Sequence, residues 1–247
     1  MDNLIISEEN QGVFTITLNR ITKKNALNSA MYRQLGELFI YASKSSSIKC
    51  VLIRGDQNCF CAGNDLQDFI ESAKTNDLAA LGFIKILAAF DKPIVAAVAG
   101  PVVGIGTTLL LHCDMVVAAN NSRFKLPFTQ LGLCPEAGSS LLLPMRIGQN
   151  RAFELLVLGK TFNAEQAYQY GLVNEVCLPE ELISTAQAIA DKIAALPQDA
   201  LMTTRRLLKE ATAQMLPTVM ANEAKEFVRL MKSDDCKSIL AKFFEPK

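Results

Sequence analysis

The sequence predicts an α/β fold in which buried strands lead into a helical C-terminal region. Two apolar runs, residues 50–53 and 94–99, contain no polar alternation, which is typical of strands covered on both faces. After Gly148 the apolar residues instead recur at helical spacing. Hydrophobic residues make up 50% of the 247 positions, so the chain can bury one large core.

The first elements are a predicted hairpin and a helix. Residues 4–6 and Val13–Leu18 flank a turn at Gln11 and Gly12, and the second run alternates apolar residues with threonine. A polar loop follows over residues 19–28. Ser29 is then expected to cap a helix that ends near residue 43.

Each of the two buried strands ends in a turn of small residues. The first strand leads to Ala62 and Gly63, and the second leads into the glycine-rich stretch 100–106, which opens a buried helix. Backbone N–H groups exposed in such turns can meet an oxygen that carries negative charge. Close packing of helix against sheet is the alternative explanation of these glycines. A helix over residues 77–90 is predicted between the two turns.

A third turn precedes another predicted helix. Short strands are expected over 115–119 and 123–126, and residues 132–135 then lead into a helix with Glu136 in its first turn. An acidic side chain there has an ordinary explanation, since a negative charge near the N-terminus of a helix stabilises the helix by about 0.3–1 kcal/mol. Five further helices, which show no acid–base cluster, are predicted to cover the core and contact other subunits: 151–158, 164–170, 180–196, 199–213 and 218–231.

Composition excludes several classes of partner. The chain carries 25 basic and 25 acidic residues, so no overall charge attracts nucleic acid. The adjacent Lys23 and Lys24 are compatible either with a solvated surface or with phosphate binding. A single histidine, and a Cys59-Phe-Cys61 pair without a second ligand cluster, argue against a metal site. His112 is expected to be a hydrogen-bonded core residue.

The cysteines and termini favour a cytoplasmic location. Seven cysteines, an odd number, are scattered through apolar surroundings, as is typical of reduced thiols. The N-terminus lacks a basic segment followed by an apolar one, and no apolar run is long enough to suggest a membrane span. The last residues, 245–247, do not form a peroxisomal Ser-Lys-Leu-type ending.

Several ordered motifs resemble those of the crotonase, or enoyl-CoA hydratase/isomerase, superfamily over essentially the whole chain. They are Asn19-Arg20 with Lys24-Asn-Ala-Leu27, Phe60-Cys-Ala-Gly-Asn-Asp-Leu66, Lys92-Pro93-Ile-Val-Ala-Ala-Val-Ala-Gly100, Gly104-Ile-Gly106 with Cys113-Asp114, and the stretch from Leu131-Gly132 to Ser140.

The resemblance implies a spiral of repeated ββα units over residues 1–196. It also implies a C-terminal helical region over residues 197–247 that supports a homotrimer or a dimer of trimers. The ligand would be an acyl-CoA thioester. No separate cofactor is then expected, because coenzyme A is part of the substrate.

The resemblance also implies roles for particular residues. The backbone amides of Asn64 and Ile105 correspond to the pair that holds the thioester oxygen. Seven further positions are similar to those that line the coenzyme A site: Lys24, Ala26, Leu27, Ala62, Gly63, Asp65 and Leu66.

Within the family, the residues favour an isomerase over a hydratase. Thr108 and Phe128 stand where hydratases carry their two glutamates, and neither side chain ionises as a carboxylate does. Glu136 falls where the peroxisomal-type Δ3,Δ2-enoyl-CoA isomerases carry one catalytic carboxylate. A single base can take a proton from C2 and return it at C4. Leu126, Phe128 and Leu133 are expected to desolvate Glu136 and raise its proton affinity.

Two alternatives stay open at this point. The chain could catalyse another enolate reaction of the same fold, such as isomerisation of a ring-derived acyl-CoA or residual hydration. It could also be a non-catalytic acyl-CoA-binding member of the family. Five apolar residues are candidates for an acyl wall or for ordinary core: Phe69, Ile70, Phe83, Ile84 and Leu87.

Overall fold

A six-stranded sheet forms the centre of the fold in the computed structural model, which describes residues 3–75 and 79–243. Its strand order is β1-β2-β3-β4-β6-β9, with an antiparallel β1–β2 hairpin and parallel pairing from β2 onward. A second, three-stranded sheet has the order β5-β7-β8. The strands are β1 (Ile5–Asn10), β2 (Val13–Leu18), β3 (Cys50–Arg54), β4 (Ile94–Val98), β5 (Pro101–Val103), β6 (Met115–Ala119), β7 (Arg123–Lys125), β8 (Phe162–Asn163) and β9 (Glu175–Cys177).

Helices follow or separate the strands and then dominate the C-terminal part. They are α1 (Ser29–Lys44), α2 (Leu66–Thr75), α3 (Ala79–Ala89), α4 (Ile105–Thr108), α5 (Ser139–Ile147), α6 (Gln149–Val157), α7 (Ala164–Gln169), α8 (Leu182–Ala194), α9 (Gln198–Ala213), α10 (Leu216–Met231) and α11 (Asp234–Ala241). Short 3₁₀ turns lie at Ile21–Lys23, Leu109–His112 and Thr129–Leu131.

Both faces of the parallel strands are covered, which explains their continuous apolar sequence. Val51 and Ile53 of β3 point into the larger core cluster, which α1 and α3 share. Leu52, on the opposite face of the same strand, packs in a second cluster with Leu182 and Ala186 of α8. The alternation of strand side chains therefore divides one apolar run between two cores.

The hairpin, the two buried strands and the predicted C-terminal helices are confirmed, with small shifts in their ends. The expected helix over 77–90 is present as α3, although positions 77 and 78 lie outside the described residues, as do 245–247. Strands β5, β8 and β9 and helices α2 and α11 are additional. No helix of the described ranges is long and apolar enough to cross a membrane.

Two local expectations were wrong. Asn28, not Ser29, caps α1, because the Asn28 side chain accepts a hydrogen bond from the Met31 N–H at 2.9 Å. Helix α5 begins at Ser139, so Glu136 lies in the turn before the helix and not in its first turn. The division predicted at residue 196 falls between α8 and α9 and stays a prediction.

Candidate active site

Main-chain hydrogen bonds bring together the two loops predicted to line a coenzyme A site. The Ala62 N–H donates to the Lys24 carbonyl at 3.0 Å, and the Leu27 N–H donates to the Gly63 carbonyl at 2.8 Å. The Asp65 N–H completes the ladder by donating to the Leu27 carbonyl at 2.8 Å. Residues 24–27 and 62–65 therefore form one continuous wall, although they are far apart in sequence.

An ion pair fastens this wall at one end. Arg20 Nη1 lies 2.7 Å from Asp65 Oδ2 and also donates to the Ala26 carbonyl at 2.9 Å. Burial tends to raise the pKa of Asp65, but hydrogen bonds from Arg20 and from the backbone N–H groups of Asp68 and Gln67 lower it overall. The Asp65 carboxylate is therefore committed to holding the loops in place.

The two turns of small residues lie side by side. The Cys61 N–H donates to the Pro101 carbonyl at 3.1 Å, and the Val103 N–H donates to the Cys61 carbonyl at 2.9 Å. A Cβ at Gly106 would come within 2.7 Å of the Cys61 carbonyl oxygen, and one at Gly63 within 3.1 Å of the Val103 oxygen. Only glycine permits this approach, so close packing and amide exposure are consequences of the same residues.

Asn64 and Ile105 follow these two turns directly. Within residues 3–75 and 79–243, neither their backbone N–H groups nor the Asn64 side-chain Nδ2 donates a hydrogen bond. Both residues line a cavity of about 330 Å³. Two amide donors from adjacent turns are thus available to a ligand oxygen.

A smaller cavity of about 50 Å³ adjoins the first and contains Glu136. Asn64, Phe69 and Phe227 line both cavities, so they mark the boundary between them. Leu66, Phe128 and Leu133 line the larger cavity, whereas Ile84 lines the smaller one. Phe83 and Leu87 are buried core residues, and Ile70 lines a separate groove beside α11.

Glu136 is a deeply buried carboxyl group that, among the described residues, has one side-chain hydrogen-bond partner. The residue is only 5% exposed, and the Thr108 hydroxyl donates to its Oε1 at 2.5 Å. Burial raises the pKa of Glu136 to about 8; the Thr108 hydrogen bond lowers it and the charge of Glu223 raises it. The expected direction is therefore confirmed. The residues that line its cavity come from α1, α2, α3 and α10 and from the loop positions 27, 64 and 65. The expected neighbours Leu126, Phe128 and Leu133 do not line it.

Two hydrogen bonds to backbone carbonyls hold the turn that carries Glu136. Ser139 donates to the Glu136 carbonyl through its hydroxyl at 2.6 Å, and His112 Nε2 lies 2.8 Å from the Ala137 carbonyl. Burial lowers the pKa of His112 to about 4, so the neutral ring donates from Nε2. His112 is the buried, hydrogen-bonded residue expected from the sequence.

Two neighbours of the site were missed in the sequence. The Tyr32 hydroxyl donates to the Asn64 side-chain oxygen, and burial raises the pKa of this tyrosine. Glu223 on α10 accepts hydrogen bonds from the turn after Glu136. Both are long-range contacts, and neither residue belongs to a motif. No group of three or more potential metal ligands occurs in the described part of the chain.

Comparison with known sequences finds one matching family and several similar enzymes. Residues 8–247 match the sequence profile of the family described as Enoyl-CoA hydratase/isomerase. A 1,2-epoxyphenylacetyl-CoA isomerase of Escherichia coli is 35% identical, over 93% of this chain and 90% of its own length. A 2,3-dehydroadipyl-CoA hydratase of the same organism is 34% identical, over 100% of this chain and 97% of its own length. Human enoyl-CoA delta isomerase 2 is 33% identical, over 100% of this chain and 64% of its own length.

Solved structures extend the likeness to the whole fold. The structure of Pseudomonas aeruginosa OdaA superposes with a TM-score of 0.95 at 40% identity, covering 99% of this chain and 100% of that one. An enoyl-CoA hydratase/isomerase from Pseudoalteromonas atlantica gives a TM-score of 0.93 at 36% identity, covering 98% and 97% of the two chains. These superpositions confirm the predicted α/β fold.

Proposed function

Since this chain belongs to the enoyl-CoA hydratase/isomerase family, the crotonase superfamily, we propose that it moves the double bond of a 3-enoyl-CoA thioester to the 2-trans position. Glu136 acts as the single acid–base group, and the amides of Asn64 and Ile105 hold the thioester oxygen. The wall formed by residues 24–27 and 62–65, together with Leu66, carries the coenzyme A portion. The reaction belongs to the degradation of unsaturated fatty acids.

The observation that carries the proposal is the setting of Glu136. It is a buried carboxyl group, its pKa is raised to about 8, and its cavity adjoins the one lined by Asn64 and Ile105. A base with a pKa near the working pH is well matched to both taking and returning a proton. Thr108 and Phe128 supply no second carboxylate with which to orient a water molecule.

The proposed chemistry needs one proton and one stabilised charge. The Glu136 carboxylate takes a proton from C2, and the electrons of that C–H bond delocalise onto the thioester oxygen. The oxygen of the resulting dienolate accepts hydrogen bonds from the two amides. In comparable sites, each such donor lowers the activation free energy by about 3–4 kcal/mol. Glu136 then returns the proton to C4 on the same face, and the double bond comes to lie between C2 and C3.

A second candidate within the same chemistry is isomerisation of a ring-derived acyl-CoA. The 35% identity to the 1,2-epoxyphenylacetyl-CoA isomerase favours it. The same base and the same pair of amides would serve, since both reactions pass through an enolate of the thioester. Substrate competition separates the two candidates.

We further propose a homotrimer or a dimer of trimers located in the cytoplasm. Leu207 and Leu208 on α9 are 55% and 79% exposed, and Met215 beyond that helix is 48% exposed. Large apolar side chains in such positions are typical of subunit contacts. Analytical ultracentrifugation of the wild-type protein tests the assembly.

The test of function is an activity assay with a matched pair of variants. Purified protein is incubated with 3-trans-hexenoyl-CoA, and formation of the conjugated 2-enoyl thioester is followed. Glu136→Gln should lower kcat by about 100-fold or more. Glu226→Gln, an equal change at a half-exposed side chain on α10 that pairs with Arg229, should leave kcat unchanged.

Parallel incubations identify the alternatives. Hydration of 2-trans-hexenoyl-CoA without conjugation of the 3-enoyl ester would contradict the isomerase assignment. Binding of the ester without turnover of any substrate would favour a non-catalytic acyl-CoA-binding protein. Preferred turnover of a ring-derived ester would select the second candidate.

A further inference from the structure

Helix α10 carries a buried carboxylate that faces the turn of Glu136. Glu223 is only 8% exposed, yet it lies on a helix that otherwise presents apolar residues to the core. Its Oε2 accepts a hydrogen bond from the Gly138 N–H at 2.6 Å, and its Oε1 accepts one from the Ser140 N–H at 2.9 Å. The Ser140 hydroxyl donates to the same Oε1. Both oxygens are therefore occupied by the segment that follows Glu136.

The segment held by Glu223 has a backbone conformation that needs support. Ala137 has φ of 59° and Gly138 has φ of 72°, so two successive residues are left-handed. For a residue with a Cβ, such as Ala137, this conformation costs about 1–2 kcal/mol. Helix α5 starts immediately afterwards, and Glu223 satisfies donors at its N-terminus while placing negative charge there.

Glu223 also acts on Glu136 through its charge. Both carboxyl groups line a cavity of about 10 Å³, together with Lys85 of α3. Three other ionisable side chains of the described residues line the main cavity of Glu136: Tyr32 on α1, Asp65 just before α2 and Asp68 on α2. The neutral His112 ring, in the 3₁₀ turn before β6, hydrogen-bonds to the Ala137 carbonyl and not to the Glu136 carboxyl group. Among the carboxylates, Glu223 is thus the one that also holds the Glu136 turn.

We propose that Glu223 is a positioning residue for Glu136, holding the left-handed turn that aims the Glu136 carboxylate into its cavity and keeping a negative charge beside it. The inference rests on the proposed function, because it requires Glu136 to be the acid–base group. It assigns to the C-terminal helical region a role in the site as well as in covering the core.

Two variants distinguish the hydrogen bonds that Glu223 accepts from its effect as a negative charge. Glu223→Asp keeps the charge but shortens the reach by one methylene, so the hydrogen bonds to residues 138 and 140 weaken. Glu223→Gln removes the charge and leaves one acceptor oxygen for two N–H donors. Glu226→Gln on the same helix is the matched control, since its half-exposed side chain pairs with Arg229 at 2.7 Å.

Isomerase kinetics over a range of pH give the first readout. Both Glu223 variants should lower the high-pH plateau of kcat by about 100-fold with KM unchanged, because a displaced base affects the chemical step. In Glu223→Gln the midpoint of the kcat/KM profile should also move to lower pH, whereas Glu223→Asp keeps the wild-type midpoint. A purely structural role would not move the midpoint in one variant alone.

A second readout needs no substrate. The free energy of unfolding is measured against pH for four proteins: wild type, Glu136→Gln, Glu223→Gln and the double variant. In each background, the part of the pH dependence that Glu136→Gln removes reports the ionisation of Glu136. The midpoint of the Glu136 titration should move to lower pH in the Glu223→Gln background. If the wild-type protein has no isomerase activity, the proposed function fails, while this titration still decides whether the two carboxyl groups are coupled.

Two results would overturn the inference. One is a wild-type kcat plateau in Glu223→Asp, which would show that the turn is held without the glutamate; this result is decisive even if Glu223→Gln does not fold. The other is an unchanged Glu136 midpoint in folded Glu223→Gln, which would show that its charge does not reach the base.

Discussion

Replacing Glu136 by glutamine should stabilise the protein increasingly as the pH rises. The pKa of this carboxyl group is raised from 4.5 to about 8 by burial, so the folded state disfavours its charged form. Between these two values the unfolded chain is ionised and the folded chain holds the proton, so the stability of the wild-type protein falls with rising pH. At about 1.4 kcal/mol per pH unit, the loss at pH 9 amounts to at most about 5 kcal/mol.

Urea denaturation of both proteins at pH 5, 7 and 9 measures this difference. Protein concentration and ionic strength are held constant, because assembly also contributes to apparent stability. A constant offset between the two proteins reflects packing or the Thr108 hydrogen bond; only the part that grows with pH reports the buried charge. A difference that stays the same from pH 5 to pH 9 would refute the reasoning.

Three further outcomes follow from the same contacts. The kcat/KM of the isomerase reaction should rise with pH to a half-maximum near 8 and then level off, because Glu136 must be ionised to accept a proton; a plateau already reached at pH 5 would contradict this. Thr108→Val should move the half-maximum to higher pH, because the hydrogen bond that it removes favours the ionised form of Glu136. The kcat/KM at pH 7 should then fall by roughly tenfold. A pH profile that does not move would show that Thr108 does not tune the pKa of Glu136. Arg205→Met should lower the free energy of unfolding by about 3 kcal/mol, because Asp114 loses its 2.9 Å partner and the Phe90 and Asp91 carbonyls lose their donor; an unchanged urea midpoint would oppose this.

Local pattern was sufficient to predict the central strands and the two turns of small residues. Continuous apolar runs mark strands covered on both faces, and glycines mark the places where the backbones of residues 61–63 and 101–106 approach each other. Strand β5 was missed because its three residues lie between two glycines and are ordered by pairing with Arg123–Lys125, which a linear pattern does not contain. Asn and Ser are equally good cap residues, so residue type does not distinguish Asn28 from Ser29, and only the structure shows that Asn28 accepts the capping hydrogen bond.

The site divides in the same way between local and long-range information. Asn64, Ile105 and Glu136 were accessible through motifs, although their roles stay predictions until the variants are assayed. Glu223 accepts a hydrogen bond from the N–H of Gly138, which lies 85 residues earlier in the chain, so no local pattern connects the two residues. One signal was present, because Glu223 occupies the buried stripe of α10 with Phe227 and Met231 at intervals of four residues. A glutamate in an apolar stripe requires a buried partner.

That stripe links the shape of the cavities to the placement of the proposed base. Phe227, one turn beyond Glu223, lines both cavities, and Met231, one turn further, lines the cavity of Glu136. A rotation or shift of α10 would therefore change the room available to an acyl chain and the support of the Glu136 turn at the same time. Because packed side chains transmit such shifts rather than absorbing them, substitutions at Phe227 should alter kcat as well as substrate preference.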